Sequence, residues 1–352
     1  MDSQDLATVD CPSGIENDEG GKRNDRALQG YSVSSGEEIV RGRRFLQWAF
    51  VIAILFFLGR IVWENWNQVR GEDFTFRIPS LLLATLIFAF SYLIQVWAWY
   101  LITLKLGTAI PFRETLQSWF SSQPGKYLPG KVWLFLSRLY HYDSRGKSKK
   151  TITVALYFET VTMIMAAGLL FLVSLFSLGE VQLFHSGFLT FCLILILMLA
   201  FLLLHPKVLQ KVLNTVLTLL NREPITLSIS YSDILWILGV CLFSWVVGGI
   251  GFYLFVDSVF LVSSKHILFL TGALAISSTL GLLALFAPSG LGVREGVLVY
   301  LLSTIMPSPV AVILSILTRL WMTFIEIAWI GVVYLTGLST KKGEEQNRHG
   351  ET

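Results

Sequence analysis

Lys126 and Lys131 stand in QPGKYLPGKVW, residues 123–133, among two proline–glycine pairs. Two ammonium groups on such a stretch can hold an anion. Pro124 and Pro129 lack backbone donors and clash with a preceding helical turn, and Gly125 and Gly130 permit tight turns. The stretch cannot be the interior of a continuous helix, yet apolar segments of membrane length flank it. It is a surface loop or a backbone break lining a cavity, and the break is the expectation. A second interruption, PSGLGVREG at 288–296, carries Pro288, Gly290, Gly292, Arg294 and Glu295. Interrupted apolar segments in the two halves of a chain point to a transporter-type site near the bilayer midplane. A helix restarting after a break offers free N–H groups and a dipole that favour an anion such as a lipid phosphate. The expected lipid- or anion-binding set is therefore Gly125, Lys126, Pro129, Gly130, Lys131, Pro288, Gly290, Gly292, Arg294 and Glu295. The competing reading is a plain cytoplasmic loop whose lysines face headgroups.

Glu159, Arg319 and Glu326 also lie in apolar surroundings. Each costs about 2.5–3.5 kcal/mol at a helix centre, so each should face the protein interior and be paired. Arg319 and Glu326 are two turns apart on one face, too far to be neighbours, so each needs a partner on another helix. Glu159 with Arg319 is the expected pair. It is either a structural ion pair or part of a polar path for a headgroup or a proton.

No catalytic constellation is evident. Ser289 sits in PSGLG rather than GxSxG, with no histidine nearby in sequence, and no enzyme activity is expected. The five histidines are scattered, and Cys11, Cys192 and Cys241 form neither a zinc pattern nor a disulfide framework; no metal and no cofactor are expected. No GxxxxGK[ST] loop is present, which excludes an ATP-driven pump unless another subunit supplies the motor. No nucleic-acid partner is expected.

The elements that must position these residues are membrane spans. The chain has 352 residues, of which 54% are apolar and 14% charged, against about 25% charged in soluble domains; mean hydropathy is +0.64. Apolar runs are read at 45–63, 78–104, 152–176, 187–204, 234–256, 266–287, 297–306 and 310–338. Between the second and third lie an amphipathic helix at 112–122 and a short apolar helix at 132–140. Basic residues at 41–44, 145–150, 207–222 and 341–342 mark cytoplasmic ends. Both termini are then cytoplasmic, at a cell inner membrane. Residues 1–40 are a polar tail unable to bury a core, 41–339 form the transmembrane domain, and 340–352 are a cytoplasmic tail. The fold expected is an all-α, polytopic transmembrane bundle of about 7–8 helices. Its broken or re-entrant segments are at 113–140 and 267–306, the latter being either re-entrant or two full spans.

GKYLPGKVW (125–133), Glu159, PSGLGVREG (288–296) and Arg319 together resemble the lysylphosphatidylglycerol synthase transmembrane-region family, also called flippase-like. That module is the membrane part of bacterial multiple peptide resistance factors and also stands alone. The resemblance covers about 44–338. It implies a helical bundle with broken or re-entrant segments and lipid translocation or handling, with 125–131 and 288–296 lining the lipid pathway. Two departures matter. This sequence has no aminoacyl-transferase stretch, so synthesis of an aminoacyl lipid is not expected. Thr160 stands where an arginine often follows the acid at the Glu159 position, which leaves Arg319 as the expected partner. The expected function is binding a phosphate-bearing lipid, of phospholipid or polyprenyl-phosphate type, and flipping it without an ATPase. The alternative is a non-transporting membrane partner of a separate glycosyltransferase or lipid-modifying enzyme.

Overall fold

The computed structural model describes residues 75–128, 131–176, 229–285 and 287–336, with residues 60, 63, 195, 198, 208, 210, 211, 214, 215 and 218. All belong to the unit Phe50–Thr352. The expected spans at 45–63 and 187–204, both tails, Pro129, Gly130, Cys11 and Cys192 lie outside the described residues.

Among the described residues there are eight α-helices and no strand. They are α1 (Ile78–Lys105), α2 (Phe112–Ser122), α3 (Val132–Asp143), α4 (Lys149–Phe176), α5 (Tyr231–Val259), α6 (Ile267–Leu283), α7 (Val293–Leu302) and α8 (Ser308–Leu335). Helices α1, α4, α5, α6 (with the turn that precedes it) and α8 are long and apolar enough to cross a membrane. At 1.5 Å per residue, α2, α3 and α7 reach about 15–18 Å, well short of a hydrocarbon core of about 30 Å.

Helices α1 and α5 form an antiparallel pair fastened at both ends. Lys105 at the end of α1 pairs with Asp233 at the start of α5 (2.7 Å). At the opposite end Arg77 meets Asp257 (3.4 Å), and the Thr75 N–H donates to the Val259 carbonyl (3.0 Å). Ser230 and Asp233 close a capping box that starts α5. Between the ends, small residues let backbones approach, as membrane helices require in the absence of a hydrophobic drive between them. A Cβ on Gly251 would press on Phe88 and Ala84 of α1, and one on Gly272 would collide with Ser174 of α4.

Two helical hairpins fill the rest. The first, α2–α3, starts beside the Lys105 end of the bundle, where Arg113 donates to the Thr336 carbonyl just beyond α8 (3.3 Å). The second, α6–α7, starts just after α5, at the opposite end. They enter from opposite ends of the bundle, and their tips, Gln123–Tyr127 and Pro288–Gly290, pack against each other. Each tip is a short 3-10 turn. Gly125 is required for space rather than for turning, because its Cβ would collide with the Leu134 backbone where the arms of the first hairpin cross. Gly290 and Gly292 have φ of 70° and 85°, and a Cβ on Gly290 would also collide with Gly281 of α6.

Candidate functional site

The buried charges sort into two clusters. In the first, Arg138 of α3 pairs with Glu159 of α4 (2.5 Å). Arg138 Nε also donates to Ser122 Oγ (2.9 Å), and Trp119 Nε1 donates to the other Glu159 oxygen (3.2 Å). The guanidinium lies 5.2 Å from the Trp99 ring and 5.3 Å from the Trp119 ring. Both side chains are buried. The expected Glu159–Arg319 pair is therefore corrected. Thr160 does rule out an arginine at the adjacent position, but the partner comes from the first hairpin, whose α3 packs against α4.

The second cluster surrounds a cavity of about 210 Å³ where the two tips meet. Among the described residues its cations are Lys126 and Lys131 from the first hairpin, Arg294 from α7 and Arg319 from α8, and its one lining carboxylate is Glu326 of α8. Tyr92 and Gln95 of α1, Gln123, and Ser278 and Thr279 of α6 supply neutral polar groups, while Phe88, Met163, Trp245 and Met322 supply apolar wall.

Each cation has different company. Lys126 pairs with Glu326, which also accepts from Tyr92 (2.8 Å) and Tyr127 (3.2 Å). Lys131 is 1% exposed and held at φ 57°. Its ammonium donates to the carbonyls of Gly281 (2.5 Å), Leu282 (2.9 Å) and Ala284 (2.9 Å). An ammonium has three donors, so Lys131 is fully engaged in capping the end of α6, where orphan carbonyls and the helix dipole favour a cation. Arg319 donates to Ser289 Oγ (2.5 Å) and lies 3.8 Å from Glu295 Oε1. Arg294 makes one hydrogen-bond contact among the described residues, to the Met322 thioether, a weak acceptor; it feels Glu326 and Glu295 without pairing directly with either.

Of the expected binding set, Lys126, Lys131 and Arg294 line the cavity. Gly125, Gly290 and Gly292 do not; they shape the tips. Glu295 does not line it either. Its Oε2 accepts from the Gly292 N–H (2.6 Å), so the N–H at the restart of α7 is taken by the chain itself. Pro288 opens the second 3-10 turn. Among the other charges expected in apolar surroundings, Arg319 and Glu326 face the cavity and Glu159 belongs to the first cluster. Arg138, Tyr92 and Ser278 were missed. Only Arg138 carried a signal, a charge inside the apolar run VWLFLSRLY. The Ser278 hydroxyl is buried and without a partner among the described residues.

A bundle of span-length apolar helices around a polar, cation-rich cavity is a multi-pass membrane protein. The family described as Lysylphosphatidylglycerol synthase TM region matches residues 45–330, and the chain belongs to that family. No curated protein and no solved structure matches it.

Proposed function

We propose that this protein binds the phosphate-bearing headgroup of a membrane lipid in the cavity between the hairpin tips and moves it across the bilayer, without an ATPase of its own. One observation carries the reading: four cations, Lys126, Lys131, Arg294 and Arg319, line a polar cavity inside an apolar bundle whose one lining carboxylate among the described residues, Glu326, is already paired with Lys126. An uncompensated charge there costs several kcal/mol, and an anionic headgroup offsets that cost. Membership of the family supports a lipid as the source of the anion.

In this reading the two hairpins are re-entrant, each entering the bilayer from one face and turning back where it meets the other. Irregular backbone at that depth is tolerated because it lines a polar cavity. Lys126 and Arg294 contact the phosphate, Arg319 sets the rim, and the acyl or prenyl tails remain in lipid. The termini are cytoplasmic and the membrane is the inner one, by the distribution of basic residues. The protein has no enzymatic step of its own.

The test is a scramblase-type assay. The purified protein is reconstituted into liposomes carrying a headgroup- or tail-labelled phospholipid or a labelled polyprenyl monophosphate, and transbilayer movement is followed by quenching of the outer leaflet. Movement is expected with the native protein and loss of movement with Lys126→Ala/Arg294→Ala. No movement of any of these lipids, together with stable co-purification of a glycosyltransferase or lipid-modifying enzyme, overturns transport in favour of a partner role.

A further inference from the structure

We infer that the cavity selects a phosphate monoester headgroup, with close to two negative charges, over a singly charged phosphodiester, and that Arg294 is its anchor. The inference rests on the reading of the cavity as a lipid-headgroup site and adds the chemical class of that headgroup.

The charges that line the cavity, counted among the described residues, do not cancel. Four cations line the cavity. Lys126 is cancelled by Glu326. Arg319 is cancelled by Glu295, directly behind the cavity wall. Lys131 sits on the carbonyl end of α6, which carries the equivalent of about half a negative charge, so about half of Lys131 remains. Arg294 has no ion pair of its own among the described residues, and the two carboxylates within its electrostatic reach, Glu326 and Glu295, are the ones already counted against Lys126 and Arg319. The residue is about one and a half positive charges. A phosphodiester, with one negative charge, leaves the cavity positive. A monoester, at about −1.5 to −2 near neutral pH, matches it.

Hydrogen-bonding capacity points the same way. A monoester offers three terminal oxygens, one more than a diester. Arg294 can take two of them in a fork. Ser278, a cavity-lining residue whose hydroxyl has no partner among the described residues, has a free donor for a third. The volume of about 210 Å³ suits a compact headgroup. Both a diacylglycerol phosphate and a polyprenyl monophosphate present this chemistry.

The experiment uses the purified full chain, delipidated in detergent at about pH 8, where a monoester with a second pKa near 6 is dianionic. Native mass spectrometry reads occupancy against concentration for dioleoyl phosphatidic acid, dioleoyl phosphatidylglycerol and a polyprenyl monophosphate. The first two share tails and differ in headgroup charge. A monoester is expected to bind about tenfold more tightly than the diester; whichever monoester is tighter identifies the tail. Arg294→Gln is expected to abolish that advantage and Arg294→Lys to restore part of it. Equal affinities, or a tighter diester, overturn the inference; if the diester still binds and still weakens in Arg294→Gln, the lipid-site reading survives. Binding of none of the three overturns both. The native-protein comparison decides even if neither variant folds.

Discussion

The two buried charge clusters lie side by side, sharing Trp119 as a wall, and differ in closure. Around Arg138 and Glu159 every strong partner is supplied by the chain: a carboxylate, a hydroxyl, an indole N–H and two aromatic faces. Around the cavity the described residues supply more cations than carboxylates and leave Arg294 without an ion pair of its own. A closed pair fixes helix packing, since losing one member strands the other in a medium that cannot solvate it. An open cluster is tolerable only where something else completes it. Charge inside a membrane protein is thus ambiguous until its partners are known.

Substitutions can break or sharpen that contrast. The largest effect is expected for Arg138→Ala, which strands Glu159 and should cost about 3–5 kcal/mol. Thermal unfolding in detergent measures it, and Arg138→Met/Glu159→Met should recover most of the loss. Lys131→Ala leaves three carbonyls of α6 without their donor and should destabilise by about 1.5–3 kcal/mol, although Lys131 borders the cavity. Gly125→Ala forces the arms of the first hairpin apart and should cost about 1–3 kcal/mol, read by the same melt. Arg294→Ala should raise the stability of the lipid-free protein, by about 1–3 kcal/mol, because it removes an uncompensated charge and leaves Glu326 paired with Lys126; a drop as large as that of Arg138→Ala would show that the clusters do not differ. Lys105→Ala, at the half-exposed fastening of α1 to α5, should cost the least, about 0.2–1 kcal/mol.

The membrane character and most helix limits were legible in the sequence, because apolar runs and Pro–Gly interruptions report backbone state locally. The helix expected at 132–140 runs to Asp143, and that expected at 112–122 has those limits. The tips were legible as breaks, though the role of Gly125 was not. It is needed because Leu134 lies against it, a fact of hairpin crossing that no local signal encodes. Pairing was the least legible. Arg138 stands only seven positions before Arg145 and merges in sequence with the basic run that follows, so Glu159 was matched to Arg319. Lys126 and Lys131 look equivalent as neighbours in one motif, yet one faces a carboxylate and the other three carbonyls. Only the meeting of two segments about 150 residues apart separates them.

The grip of Lys131 also bears on movement. One ammonium from the first hairpin clasps the C-terminal end of α6 in the second, so neither hairpin can slide past the other there without tearing three bonds. Any displacement of the first tip must therefore carry the end of α6 with it as a single piston, with the relative motion pushed onto the long rods around them.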